Sequence, residues 1–196
     1  MATELTLADV KDLVAYEKER EAFRRRIIEL KSRRRLSVGD RVSLVFENRE
    51  TALSQVQEMV RAERIVDPEK IQFELDTYNA LIPGPGELSA TLFIEITGSD
   101  DIRRELDRMI GLDAPQRVGF DLGDAGRAWG RFESGHSNES RISAVHYVKF
   151  PFTPAQVKAL AAPDRPAFLV IDHPAYRHRV EVPDVVRREL LADLQG

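Results

Sequence analysis

The stretch from Val38 to Ile65, VGDRVSLVFENRETALSQVQEMVRAERI, does most to limit what this chain can fold into. In its first third Val42, Leu44 and Phe46 alternate with Arg41, Ser43 and Glu47, the period-two pattern of a strand with one apolar face. Asn48 ends that pattern, and its side chain can accept from the free N–H groups of a following helix. Ala52, Leu53, Val56, Met59 and Val60 then recur at helical spacing, with Glu50, Gln57, Glu58 and Arg61 on the other side. A surface helix is more usually written with Lys and Glu, so Gln57, Glu58 and Arg61 are candidate pocket residues. A solvated face with one or two cross-helix hydrogen bonds is the simpler expectation.

Before this stretch, Thr6 and Asp9 form a helix-start signal. Val10, Leu13, Val14, Phe23, Ile27 and Leu30 predict one long helix, or two with a break. It closes on RRRIIELKSRRR, Arg24 to Arg35, in which seven of twelve residues are Lys or Arg, so Arg24, Arg25, Arg33, Arg34 and Arg35 are candidate contacts for a partner or a phosphate. The opposing reading is structural. Cations favour the negative end of a helix, and Ile27, Ile28 and Leu30 tie the segment to the core. The net charge of −4 argues against general affinity for nucleic acid.

Downstream, Asp67 and Pro68 start a helix and IPGPGE, from Ile82 to Glu87, breaks it. ELSATLFIEIT alternates as a strand with Leu88, Ala90, Leu92, Ile94 and Ile96 on one face. A short helix is expected from Ser99 to Ile110. From Gln116 onward, strands and turns dominate: a hairpin around Gly123 to Gly126, an exposed loop SGHSNESR, a strand ISAVHYVKF and a short helix from Thr153. AFLVIDH and YRHRVEV follow as paired strands joined by Pro174 and Ala175, and a helix begins at Pro183. The expected fold is α+β: a mixed, mainly antiparallel sheet covered by helices, with a long N-terminal helix. One domain, 1–196, would comprise a helical segment 6–35, a strand-helix core 36–112 and a strand-rich part 116–196.

The absence of cysteine excludes disulfides, thiolate-held iron–sulfur clusters and cysteine nucleophiles. No apolar run reaches the ~20 residues needed to cross a bilayer. The acidic, polar start MATELTLADV does not read as a secretory signal, so a cytoplasmic location is expected. His146, His173 and His178 each sit on the apolar side of a predicted strand. If those strands are neighbours, they converge with Asp172, Tyr147 or Tyr176 on a pocket suited to a divalent metal or to acid–base work. HExxH, paired ExxH and Gly-x-Ser-x-Gly are all missing, and backbone carbonyls can satisfy such histidines equally well. Glu47, Glu58 and Glu95 are lesser candidates; Glu47 and Glu95 point away from the apolar face, which places them at the surface.

RRRLSVGDRVSLVFENRETALSQVQEMVRAERI, ELDTYNALIPGPGELSATLFIEIT, SAVHYVKF and DHPAYRHRVEVP together resemble a family of bacterial proteins of unknown function, over nearly the whole chain. The resemblance implies genes beside those of rubrerythrin-like proteins and cysteine-rich iron–sulfur oxidoreductases, and so a redox or peroxide-stress setting. It supplies no activity and no catalytic residues. Two expectations follow: an accessory protein that binds such a redox partner, or a metal-binding protein or enzyme using the histidines.

Overall fold

The structure, a computed structural model, describes residues 4–96, 102–133, 135, 137–138 and 141–195. The N-terminal pattern resolves into a 3-10 turn, Leu7–Asp9, and a long helix α1 (Leu13–Arg33). The Asp12 carboxylate caps α1, accepting from the amides of Val14 and Ala15 at 2.9 Å each. After α1 come β1 (Arg35–Val38), β2 (Val42–Glu47), α2 (Arg49–Ala62), α3 (Pro68–Asn79) and β3 (Glu87–Ile94). The Asn48 side chain accepts from the Thr51 amide at 2.9 Å, so the strand-to-helix switch read from the sequence is made by that cap.

The rest of the chain holds α4 (Ile102–Asp107), β4 (Val118–Asp121), β5 (Arg127–Trp129), β6 (Arg131–Phe132), β7 (Ser137–Asn138), β8 (Arg141–Ile142), β9 (Val145–Pro151), α5 (Pro154–Ala161), β10 (Phe168–His173), β11 (Tyr176–Glu181) and α6 (Asp184–Gln195). Ser99, expected to open a helix, lies outside the described residues, as do Ser134, His136, Glu139 and Ser140 of the expected loop.

The α+β expectation holds, with two main sheets in place of one. Sheet A runs β1-β2-β3-β9-β6 and sheet B runs β11-β10-β4-β5; every ladder among the described residues is antiparallel. Their inner faces meet at Phe46, Phe120, Phe150 and Phe152, whose rings lie 5.2 to 6.2 Å apart where they touch. Each such ring contributes about 1.5–3 kcal/mol through burial. The sheets are joined at one edge by the chain itself. Gly130 donates to Val118 of sheet B at 2.8 Å, and the next residue, Arg131, pairs with Lys149 of sheet A. A side chain at Gly130 would stand 2.7 Å from Val148 and 3.0 Å from Phe150, so the crossing admits glycine alone without rearrangement.

A second apolar cluster lies apart from the sheets. Ala52, Val56 and Val60 of α2 pack with Leu75 of α3, Ile82 and Leu5. The end of α3 lies over the outer face of sheet A, where Tyr147 acts on Tyr78 and Ala80 and Leu81 line a cavity with Ser89, and the reading of β2 as a half-buried strand is corrected. All six of its residues are buried, including Ser43 and Glu47.

Candidate functional site

Outer-face residues of sheet A come into register across four strands. Glu47 of β2 pairs with Ser89 of β3, Ser89 with Lys149 of β9, and Lys149 with Arg131 of β6. Cross-strand partners point to the same face, so these four form one polar row. The neighbouring row pairs Val45, Thr91 and Tyr147. Beside them lies a cavity of about 420 Å³ lined by Ser89, Tyr147, Lys149, Arg131, Glu87 and Leu81, with Glu133 at its rim strand. That volume falls within the range of small-molecule sites.

The electrostatics of the cavity are mixed. Lys149 pairs with Glu87 at 2.9 Å, and the same carboxylate oxygen accepts from the Gly84 amide at 2.9 Å. Burial pushes the Glu87 carboxyl up, but the Gly84 amide and the Lys149 ammonium outweigh it and hold the group below its ordinary value. Burial raises the Tyr147 phenol, and the carboxylates of Glu47 and Glu133 push it the same way. Tyr78 of α3 is likewise raised, first by burial and then by Tyr147. The Arg131 side chain is exposed and forms no hydrogen bond or ion pair among the described residues.

Glu47, which the strand pattern places at the surface, is only 2% exposed. Thr91 donates its hydroxyl to Glu47 Oε1 at 2.6 Å, while Oε2 has no hydrogen-bond partner among the described residues. Of the sequence candidates, Tyr147 lines this cavity, and Glu47 lies beside it as the buried register partner of Ser89. Ser89, Lys149, Arg131 and Glu87 line the cavity and were not legible as site residues, nor was Thr91, which bonds Glu47. Their signal lay in Ser89 and Thr91: two small hydroxyls, where a solvated strand face would carry Lys or Glu.

The other candidates have different placements. Glu95 is exposed and pairs with Arg35. Gln57 is buried and holds the N-terminal segment, donating to the Lys11 carbonyl at 2.8 Å and accepting from the Lys11 amide at 3.0 Å. Glu58 accepts from the Tyr16 hydroxyl at 2.6 Å and from the Arg20 guanidinium at 2.9 and 2.8 Å; Arg61 pairs with Glu17 at 2.7 Å. The polar side of α2 is thus its interface with α1, which corrects the expectation of a solvated face.

In the basic run, Arg34 is buried at 1% exposure. It donates to the Phe46 carbonyl at 2.8 Å and pairs with Glu189 and Asp193 of α6. Arg33 pairs with Glu29 and Glu189, and Arg35 with Glu95, whereas Arg24 and Arg25 point outward.

The histidines lie in different places. His146 belongs to sheet A, where its Nε2 is 2.8 Å from the Ser143 carbonyl and its ring packs edge-on against Phe132. His173 of sheet B has Nε2 at 2.9 Å from the Ile110 carbonyl, while its Nδ1 accepts from the Ala175 amide at 3.2 Å. His178 is exposed on the edge strand, stacked on Tyr176 with ring centroids 4.2 Å apart. Asp172 pairs with Arg177 at 3.1 Å. Among the described residues, no group of three or more His, Cys, Asp or Glu is placed to hold a metal ion. Convergence fails because the strands carrying His146 and His173 fall in different sheets.

The fold and this row define a two-sheet antiparallel α+β protein with a polar outer cavity. The chain belongs to a family of proteins of unknown function, DUF3501, whose model matches residues 4–194. It is similar to a solved structure described as a novel protein of unknown function from Burkholderia pseudomallei K96243, with 32% identity and a TM-score of 0.89 over 98% of this chain and 100% of that one. No curated protein matches the chain. Among the described residues, no helix is long and apolar enough to cross a membrane.

Proposed function

We propose that this protein is an accessory protein that binds a small molecule in the cavity of sheet A, gripping an anionic group of that molecule with Arg131 and Lys149. Arg131 carries the reading. It stands in the same cross-strand row as Lys149, lines a cavity of about 420 Å³, and has no ion-pair partner among the described residues. A guanidinium beside an ammonium matches the geometry and charge of a carboxylate or phosphate. Glu87 already neutralises Lys149, so Arg131 supplies the unspent charge.

Calorimetric titration with pentanoate and with inorganic phosphate tests this at low salt. One of the two probes is expected to bind, with affinity falling as salt rises and lost in Arg131→Met. Absence of binding by both probes at millimolar concentration counts against the anion site. Rubrerythrin-like or iron–sulfur oxidoreductase partners are proposed on the family resemblance, and failure to co-purify with them at low salt would remove them.

A further inference from the structure

We infer that the molecule held in this cavity is a carboxylate with a second, uncharged oxygen, a short oxo or hydroxy acid, and that Ser89 donates to that oxygen. The inference rests on the anion-site reading above and names the class of molecule.

Ser89 is the observation that requires explanation. It lines the cavity, yet the residue is only 2% exposed. Its hydroxyl takes part in no hydrogen bond among the described residues. Both of its neighbours in the row are turned elsewhere. Glu47 Oε1 accepts from Thr91 and Oε2 has no partner among the described residues, while Lys149 pairs with Glu87. Unlike Glu47 Oε2, the Ser89 hydroxyl is not wholly enclosed, so it can be met from the cavity. Burying a hydroxyl without a partner is costly, and such a group is kept where something else completes it.

The surroundings decide what completes it. Ser89, Lys149 and Arg131 follow one another across β3, β9 and β6, so the row offers a hydroxyl, an ammonium and a guanidinium. Glu87 is occupied by Lys149 and the Gly84 amide. A row of donors is matched by oxygens on the ligand. The charge suits a monoanion: Arg131 and Lys149 bring two positive charges, and Glu87 removes one. An anionic group between Arg131 and Lys149 lies one and a half strand intervals from Ser89, about 7 Å at the backbone. A hydrogen bond from Ser89 covers about 3 Å of that span. The remaining ~4 Å matches a carboxyl carbon and an oxygen-bearing carbon joined by three carbon–carbon bonds. Leu81, Pro151 and Tyr147 give that short chain an apolar surface to lie on.

The test compares 4-oxopentanoate, pentanoate, 4-methylidenepentanoate and inorganic phosphate on the full chain by calorimetry at low salt. The expected result is that 4-oxopentanoate binds roughly 3–10-fold more tightly than pentanoate, the range of one neutral hydrogen bond. The methylidene probe, which has the shape of the ketone but carries CH2 in place of its oxygen, should bind like pentanoate. Ser89→Ala should bring 4-oxopentanoate and pentanoate to equal affinity without lowering the urea midpoint, because the hydroxyl it removes has no partner in the fold. A preference for 4-oxopentanoate that survives in Ser89→Ala overturns the inference. Equal binding of 4-oxopentanoate and pentanoate by the native protein, or binding of phosphate alone, overturns it too and leaves the anion site standing. No binding by any probe overturns both.

Discussion

The Tyr176 hydroxyl donates to the Val38 carbonyl at 2.7 Å and accepts from the Arg41 amide at 2.9 Å, fastening sheet B to the β1–β2 turn of sheet A. The opposite edge of the two sheets is joined covalently through Gly130, so Tyr176 closes the side that the chain leaves open. Tyr176→Phe keeps the ring and removes both bonds. A loss of roughly 1–3 kcal/mol is expected in urea unfolding, because two backbone groups lose their partner. A change within error would mean that the clasp carries no stability.

The same turn sets a second expectation. Gly39 has φ +73°, and a methyl group there would sit 2.8 Å from the His178 ring. Gly39→Ala should destabilise by about 1 kcal/mol or more, since both backbone and packing oppose it. An unchanged thermal midpoint would contradict this.

Arg34 joins the end of α1 to α6 through Asp193, whose carboxyl is raised by burial and partly drawn back by Arg34. Arg34→Met leaves that acid buried without its cation, and a loss of roughly 3–5 kcal/mol is expected at neutral pH. The sign with pH follows from the raised value. A carboxyl whose pKa is raised in the fold favours the folded state below its unfolded pKa, and that contribution is lost as pH rises through the folded pKa. Arg34→Met raises it further, so its deficit relative to the native chain should shrink between pH 7 and pH 4. A deficit independent of pH would show that Asp193 is not the reason.

Glu58 has the opposite sign. Arg20 first, and then Tyr16, hold its carboxyl below its ordinary value despite partial burial. Its contribution is present above the unfolded pKa and is lost as pH falls through the folded one. Glu58→Gln should therefore lower the thermal midpoint at pH 7, with the two midpoints converging as pH falls through the carboxylate range. Parallel curves would show that the α1–α2 contact does not depend on the charge.

His173 meets a carbonyl at Nε2 and an amide N–H at Nδ1, an arrangement that requires the Nε2–H tautomer. Nitrogen chemical shifts should report that tautomer. His173→Ala should cost about 1–3 kcal/mol by stranding the Ile110 carbonyl and the Ala175 amide. Metal content of untagged protein should be the same with and without the substitution; metal lost with His173 would restore the histidines as ligands.

Local structure was legible where local chemistry decides it. Asn48 announced a strand ending and a helix beginning, and the cap is there. Pro174 and Ala175 announced the turn between β10 and β11. The histidines were misleading as a group because alternation says which face of a strand a residue occupies and not which sheet the strand joins. Glu47 was misplaced for a related reason. A strand's polar face reads as solvent-facing until another layer covers it, and here all six residues of β2 are buried, with the end of α3 over the same face of sheet A.

By itself, the sequence determined the α+β class, the helix caps, the hairpins and the exclusion of cysteine chemistry, because periodicity, turn residues and composition act over a few neighbouring positions. The tertiary structure alone decided that the strands divide into two sheets, that Arg34 is buried, and that Glu47, Ser89, Lys149 and Arg131 share one row. Those four residues span 84 positions between Glu47 and Arg131. Only strand register brings them together, since it is set by backbone pairing across the whole sheet.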